Sequence, residues 1–423
     1  MNKNNLIRSS VLWKIITLLF LFFFSASIFS QSISDILPKC AVKSLPELFK
    51  KKDSIFTLKP IKNSFFLVIP VIGSSPATGF LYGAVTQYTF KGKRTEDRYS
   101  SINFGATYTT NEQLLVNVKN TLLLNQNKIY FNGDWRYYIF SQDNYGLGSD
   151  IIPPAKDDSG FVLEALAQPM DYDYLKFHQT VSFRIADNFY IGGGIHIDGY
   201  TNISDKQLDL SNNVLTEHHK YSEKYGFSTN EYYINGLSLN FVFDSRDNQI
   251  NANNGWYGNI NFRNNPDFGR NQSASSVLFT EFKYYIPLSK TNLQHVLAFW
   301  TYGQFLTHGD LPYLNLPALG WDKTSRGGRG YIQGLIRGQN LVYLETEYRF
   351  PITCNQLISG AVFANFTTAS DKDRQVKLFD AVQPSFGIGL RILIDKATRT
   401  NLVLNQAWGR HSKAFYLNAG ETF

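Results

Sequence analysis

Long apolar runs are missing from most of this 423-residue chain. Beyond residue 30, no stretch of about 18 apolar residues occurs, which excludes transmembrane helices from that part of the chain. Cysteine is scarce as well, since the chain contains two, Cys40 and Cys354. Two thiols cannot complete a zinc site by themselves. Glu217, His218 and His219 are adjacent, but we interpret them as part of a solvated polar loop and not as metal ligands. The sequence therefore predicts no metal site and no cofactor.

Catalytic signatures are also missing. The chain contains neither a G-x-S-x-G nucleophile elbow nor an H-E-x-x-H helix. His178 and Ser182 share a strand face, and His411 with Ser412 lies in the last hairpin, yet no third triad member accompanies either pair. We therefore predict that the protein is not an enzyme. A hydrolase at the rim of a surface barrel is the least favoured alternative.

Charge excludes a further class of function. The net charge is +7, and the first 30 residues contribute three of these charges through Lys3, Arg8 and Lys14. The excess on the remaining chain is spread over loops and turns. No segment interleaves basic and aromatic residues as a nucleic-acid groove would. The sequence predicts no nucleic-acid partner.

The first 30 residues resemble an export signal. Basic residues precede an apolar run at 15–24, and small residues follow it. Cleavage after Ser30 is preferred and cleavage after Ser27 is the alternative. An uncleaved anchor is disfavoured because the apolar core is too short to span a bilayer comfortably. We expect residues 31–63 to form a short periplasmic segment and residues 64–423 to form one domain.

What the chain has in abundance is apolar–polar alternation. Aromatic residues make up 15% of the sequence, and from residue 65 onward alternating segments follow one another. Strands with lipid on one side and a polar lumen on the other require this period of two. We count sixteen segments, which predicts an all-β fold: a 16-stranded antiparallel transmembrane β-barrel. Their starts lie near 65, 78, 97, 112, 127, 171, 188, 236, 256, 275, 292, 339, 356, 382, 399 and 414. A soluble β-helix or multi-sandwich would show a repeat period or Cys/Trp core marks, and the sequence shows neither.

The closing segment indicates where this barrel resides. Between Lys413 and Phe423, Phe415, Leu417, Ala419 and Phe423 share one parity, which we expect to face lipid. A terminal aromatic residue on that face is typical of bacterial outer-membrane barrels. Connections alternate between short and long, so both ends of the sheet should lie at the periplasmic side. We therefore expect an integral protein of the Gram-negative outer membrane, in contact with outer-membrane lipid.

The second half of the chain contains four motifs in a characteristic order. They are Asp244–Asp247 with Gly255–Tyr257, Leu316–Gly320 with the loop motif Gly328, Arg329, Gly330 and Tyr331, then Glu347–Pro351, and finally the closing strand with Gly420. In this order and at these spacings the chain resembles the BamA/TamA superfamily of outer-membrane assembly barrels, the bacterial surface antigen domain. The resemblance extends from about residue 236 to 423 and more weakly back to 65.

The resemblance implies an inward-folded sixth extracellular loop. In the family, the arginine that Arg329 matches docks on the barrel wall through the acid that Glu347 matches. Alternation also turns Glu345 into the lumen, where a carboxylate needs a partner. We expect Glu347, Glu345 and Asn365 to form the part of the wall on which the loop docks. Asn365 stands where the family places a second acid, so we expect a weaker clamp and a more mobile loop. Gly328 replaces the branched apolar residue that usually precedes the arginine.

The resemblance also implies a function. We expect the barrel to move or insert polypeptide or lipid through a lateral seam between its first and last strands, to which Gly420 and Phe423 belong. The 33 residues at 31–63 leave no room for the periplasmic POTRA domains of relatives. A separate periplasmic receptor protein, or a second copy of this chain, would then supply the substrate. The alternative is a passive or structural outer-membrane channel.

The two cysteines leave two interpretations open. Cys40 lies in the periplasmic segment, and Cys354 lies in a turn that we also expect to be periplasmic. A disulfide between them would tether the segment beneath the barrel, since exported proteins can keep disulfides. Two unpaired thiols are the alternative.

Overall fold

The architecture is that of a computed structural model of the chain. It describes residues 40–49, 64–75, 79–94, 96–154, 160–267, 274–290 and 292–423. The predicted export signal and much of the predicted periplasmic segment lie outside these residues.

Sixteen strands of the described chain form one antiparallel sheet, in which each strand pairs with its neighbours in sequence. Each predicted start lies within four residues of an observed one. The predicted fold class is confirmed as a nearly closed 16-stranded barrel. The strands are β1 Ser64–Ser75, β2 Gly79–Phe90, β3 Ser100–Thr109, β4 Leu114–Leu124, β5 Ile129–Asn144, β6 Gln168–Ala186, β7 Phe189–Asp205, β8 Tyr232–Asp244, β9 Gly255–Asn265, β10 Ser275–Pro287, β11 Val296–Gly309, β12 Asn340–Pro351, β13 Ile358–Ala369, β14 Gln383–Asp395, β15 Thr400–Gly409 and β16 Ser412–Ala419.

Side-chain exposure alternates along the strands. On β13, Val362 and Phe366 are exposed on the outer face, whereas Phe363 and Asn365 are buried on the inner one. Apolar residues stay outside because lipid, and not water, surrounds a membrane barrel. The lumen instead holds polar side chains, aromatic rings and ion pairs, which the outer face could not solvate.

Two helices occur among the described residues: α1, Leu45–Leu48, and α2, Glu217–Tyr225. The Thr216 hydroxyl accepts a hydrogen bond from the amide of His219 at the start of α2, and Gly226 ends the helix with a left-handed backbone. Short 3₁₀ turns cover Ser149–Ile151, Leu163–Leu166 and Tyr313–Asn315. In the part of the chain that is described, neither helix has the length and apolarity needed to cross a membrane.

The connections give the two ends of the barrel different character. Connections of at most ten residues join even-numbered strands to the next odd one, and we call that end the short-turn end. The long connections at the opposite end, the long-loop end, pack on one another. Arg374 binds Asp150 at 2.8 Å, and Lys372 binds Asp310 at 2.5 Å. These ion pairs join three of the long connections into one layer.

Asp373 adds α2 to this layer. Its carboxylate accepts a hydrogen bond from the Tyr225 hydroxyl at 2.6 Å and pairs with Lys224 at the same distance. Burial alone would raise the pKa of Asp373, but the hydrogen bonds from Lys224 and Tyr225, together with nearby positive charge, lower that pKa below its usual value. The carboxylate is therefore ionised wherever the layer is intact near neutral pH.

The sheet begins at β1 and ends at β16 without a ladder between them. Every other neighbouring pair of strands in the described chain is hydrogen-bonded. We call this unjoined line the seam. Among the residues that the structure describes, the outer edges of β1 and β16 have no strand partner.

Candidate functional site

The 30 residues between β11 and β12, 310–339, form the connection that we call loop six. Leu319, Tyr331 and Leu335 of this loop are buried in one cluster with Trp300 of β11 and Tyr343 of β12. Both wall residues have the parity that points away from lipid. Loop six therefore packs on the inner wall of the barrel.

Arg329 is the main polar contact of loop six with that wall. Its Nη2 lies 2.7 Å from Oε2 of Glu347 and also donates to Glu345, while its Nε lies 3.3 Å from Glu345. The guanidinium stacks on the ring of Phe363, 3.4 Å from the ring centroid. All three polar side chains are almost completely buried. Such burial requires this pairing, because an isolated charge would be costly there.

Asn365 has a different role from the acid that it replaces. Its Nδ2 donates to the main-chain oxygen of Arg329 at 2.9 Å, and the Ser385 hydroxyl donates to the same oxygen. The guanidinium still meets two carboxylates, because Glu345 supplies the second one from β12. The expectation that Asn365 leaves the clamp short of one carboxylate is therefore wrong, because Glu345, which we expected among the docking residues, pairs with Arg329 as well.

The two glycines beside Arg329 let the loop approach the wall closely. Gly328 and Gly330 have φ of +80° and +103°, which L side chains rarely adopt. A Cβ on Gly330 would also lie 2.9 Å from Cβ of Ser385. The hydroxyl of Tyr331 donates to the main-chain oxygen of Pro384 at 2.6 Å. The whole motif is thus laid against β14 as well as β12.

Glu347 is the centre of a larger network. Its Oε2 accepts from Arg329 and, at 3.0 Å, from Nη2 of Arg391; its Oε1 accepts from Nε of Arg349 at 2.7 Å. Three guanidinium groups therefore share one buried carboxylate. Arg391 also contacts Glu421 at 3.2 Å, which brings a second acid to the cluster.

The end of the chain does not follow the predicted closing strand. β16 ends at Ala419, and Gly420, with φ of +77°, turns the chain into the lumen. Phe423 is 8% exposed and packs on Trp300 and Tyr285, with ring centroids 5.3 and 6.2 Å away. The prediction that Phe423 lies on the lipid face is therefore wrong. The left-handed turn at Gly420 changes the direction of the chain, so strand parity no longer applies beyond it.

Polar contacts hold this tail, residues 420–423, in place. Nη2 of Arg349 donates to the main-chain oxygen of Phe423 at 3.0 Å. Nδ2 of Asn401 donates to Glu421 at 2.8 Å. Arg326 of loop six donates to the main-chain oxygens of Ala419, Gly420 and Glu421, with distances of 2.8 and 3.2 Å to the first two. Loop six and the end of β16 are therefore directly connected.

Parity on β12 had already turned Arg349 into the lumen, but three other residues of this network were missed by the sequence reasoning: Arg326, Arg391 and Glu421. Inward parity on β14 could have indicated Arg391, because a cation in a lumen needs a partner. Arg326 binds main-chain oxygens, for which sequence carries no signal.

The short-turn end carries the disulfide. Cys40 and Cys354 are bonded, with their Cα atoms 5.6 Å apart. The amide of Lys43 donates to Asn355 at 2.9 Å. Glu47 of α1 pairs with a lysine of the β14–β15 turn at 2.8 Å. Residues 40–49 thus lie against this end, beside a cavity of about 200 Å³ that reaches the Arg349–Arg391–Glu421 cluster.

Two of the histidines that the sequence analysis considered pair with carboxylates. His218 pairs with Asp205 at 2.9 Å, and His178 pairs with Asp198 at 2.8 Å. Within the described ranges, no group of three His, Cys, Asp or Glu side chains is arranged to hold a metal.

Comparisons with known proteins give one family and one fold. Residues 100–423 match the Omp85 superfamily domain. The crystal structure of BamA from Haemophilus ducreyi lacking POTRA domains 1–3 is similar with a TM-score of 0.51 and 15% identity, over 85% of this chain and 69% of that one. CdiB from Acinetobacter baumannii is similar with a TM-score of 0.50 and 12% identity, over 84% of this chain and 59% of that one. This chain therefore spans less than two thirds of CdiB. No curated protein matches the sequence.

Proposed function

This chain belongs to the Omp85 superfamily, as its resemblance to BamA predicted, and we propose that it inserts or translocates polypeptide through the seam between β1 and β16. The observation that carries the proposal is the missing ladder between these two strands. We place the protein in the outer membrane of a Gram-negative bacterium.

The chemistry of the seam favours polypeptide over lipid as the substrate. Strand edges carry main-chain N–H and C=O groups, and leaving them unpaired in hydrocarbon costs several kcal/mol each. An extended polypeptide can satisfy them by adding a strand, which is a common mode of peptide recognition. Acyl chains offer neither donors nor acceptors. The unpaired edges of β1 and β16 are thus suited to a polypeptide strand.

The contents of the lumen favour lateral movement over conduction. Loop six and the tail pack inside the barrel, and the long connections pack together above them. A passive channel along the barrel axis would need loop six, the tail and these ion pairs of the long connections to move aside. A strand at the seam would not.

A partner is expected at the short-turn end. The disulfide holds α1 there, and Leu48 and Phe49 at its end are 53% and 82% exposed. Exposed apolar groups of this kind are suited to binding another protein. We propose that a separate periplasmic receptor, or a second copy of the chain, presents the substrate at this end. We propose no catalytic step.

A reversible seam lock tests the proposal. Cysteines replacing Val68 of β1 and Leu417 of β16, in a background without Cys40 and Cys354, would be oxidised across the seam in liposomes. An unfolded outer-membrane β-barrel protein is then added, and its insertion is measured as protection from an added protease. We expect locking to abolish insertion and a reductant to restore it.

The control lock joins Leu417 to Leu404 of β15, its partner in the existing ladder. This lock should leave insertion unchanged, because those strands are already paired. Equal insertion with both locks would refute lateral passage.

A further inference from the structure

Loop six also contacts the opposite wall of the barrel. Nζ of Lys323 donates to the main-chain oxygen of Asn120 at 2.7 Å, to Oγ1 of Thr121 at 3.0 Å, and to Oδ1 of Asn132. The first two acceptors lie on β4 and the third on β5. A lysine ammonium has three donors, and here each has a partner on the wall.

The same wall also holds the main chain of the loop. Nη2 of Arg136, on β5, donates to the main-chain oxygens of Asp322 and Lys323 at 2.8 and 3.3 Å. Arg136 is 2% exposed and is held by a two-point ion pair with Asp134, both distances being 2.8 Å. The donor is therefore held in place by a residue of the wall itself.

The segment between the two contacts is internally ordered. The carboxylate of Asp322 accepts from the amides of Thr324 and Gly327 at 3.0 and 2.9 Å. These hydrogen bonds shape the turn that leads from Lys323 to Arg326 and Arg329. A displacement of Lys323 will therefore also displace Arg326 and Arg329.

Strand order places the two contacts across the barrel from one another. In a sheet of sixteen strands, the β4–β5 pair and the β12–β13 pair are eight strands apart in either direction. Strands about 4.8 Å apart and tilted near 40° give a diameter of roughly 30 Å. The seven residues from Lys323 to Arg329 are joined by six steps along the chain, which span at most about 20 Å. Long side chains at both ends are needed to reach both walls.

We propose that loop six is a brace across the seam and that Lys323 is the residue that positions its second end. The β4–β5 wall lies on the β1 side of the seam, and β12 with the tail lies on the β16 side. On the side of the barrel away from the seam, strands β6–β11 join these walls. On the side of the seam, where β1 and β16 are unpaired, loop six joins them.

The two ends of the brace differ in chemistry. Arg329 meets two carboxylates, whereas the acceptors of Lys323 are neutral oxygens. Hydrogen bonds between two charged groups are stronger than those with one charged partner. The Lys323 end is therefore the one that releases when the seam opens. This role in opening rests on the proposed function, but the brace itself does not.

Pulsed electron paramagnetic resonance on the full-length protein tests the brace. Spin labels on cysteines replacing Tyr137 of β5 and Val362 of β13, both exposed outward, report the distance between the walls. Lys323→Met keeps the length of the side chain and removes its charge. We expect this variant to at least double the width of the distance distribution. Thr121→Val, which removes one of three acceptors, should widen it less.

Lys220→Met is the matched control, because this lysine is half exposed and pairs with Glu217 on the surface. It should leave the distribution unchanged. Heat-modifiable migration on gels checks that each variant is folded. An unchanged width in folded Lys323→Met would overturn the brace, whatever the seam lock shows. A wider distribution with an unchanged Val68–Leu417 distance would overturn its action across the seam.

Discussion

Neutralising Glu347 should cost far more stability than neutralising its neighbour Glu345. Both carboxylates are fully buried on β12. Glu347 accepts from three guanidinium groups, whereas one guanidinium, that of Arg329, is the charged partner of Glu345. Glu347→Gln keeps the shape of the side chain but removes the negative charge that the three guanidinium groups share.

The magnitude follows from this count. Removing one partner of a buried ion pair typically costs about 3–5 kcal/mol, because a buried charge is left uncompensated. We expect Glu347→Gln to lose that amount. Glu345→Gln should lose about 1–3 kcal/mol, the usual cost of a buried group that loses a hydrogen-bonding partner. In that variant Arg329 keeps Glu347, and a carboxamide still accepts one hydrogen bond.

Urea unfolding in detergent micelles measures the difference. The folded fraction is followed by migration on unheated gels and by tryptophan fluorescence. A loss in Glu345→Gln equal to or larger than that in Glu347→Gln would refute the view that Glu347 is the centre of the network.

Three further predictions concern the tail, the disulfide and the long loops. Phe423→Ala should cost about 3–5 kcal/mol of unfolding free energy and shift the fluorescence of Trp300. Phe415→Ala removes a ring that faces lipid and should leave that fluorescence unchanged. Equal shifts in both variants would contradict the packing of the tail on Trp300. Replacing Cys354 by serine should lower the unfolding free energy by about 6 kcal/mol in the chain-entropy model, since the disulfide closes a loop of 314 residues. An unchanged urea midpoint under oxidising conditions would count against this stabilisation. An NMR titration should place the pKa of Asp373 below the ordinary value of about 3.9. Because the pKa of Asp373 is lowered in the folded protein, the contact of this carboxylate with α2 should stabilise the long-loop layer above pH 4. The contact should weaken as the pH falls through the folded pKa. Loss of the contact already at pH 5 would contradict a lowered pKa.

The disulfide should leave seam opening unaffected. The 15 residue steps from Phe49, at the end of α1, to Ser64 could span roughly 50 Å if fully extended. This exceeds the barrel diameter of roughly 30 Å, so the tether positions α1 without restraining the separation of β1 and β16.

Much of the fold could be predicted from period-two alternation alone. Lipid outside and a polar lumen inside impose the same constraint on every strand, so strand number and inward residues such as Glu345 and Glu347 follow from parity. Exposure confirms this on β13, where Val362 and Phe366 face outward.

The tail was mispredicted although the sequence carries a warning. Glu421 has the same parity as Phe415 and Leu417, so a strand continued to residue 423 would put a carboxylate into lipid, which is costly. That cost, together with Gly420, indicates that the strand ends earlier. The Lys323 contacts carry no such signal, because one of their acceptors is a main-chain oxygen and the others are neutral side chains far away in sequence.

Photo-cross-linking at the seam tests the central claim most directly. A photoreactive amino acid would replace Leu417 on β16 or Leu239 on β8, two residues that are 47% and 49% exposed to the surroundings of the barrel. During insertion of an unfolded β-barrel protein into liposomes, we expect adducts from position 417 and none from position 239. Equal adducts from both positions, or insertion without any adduct at 417, would contradict passage through the seam.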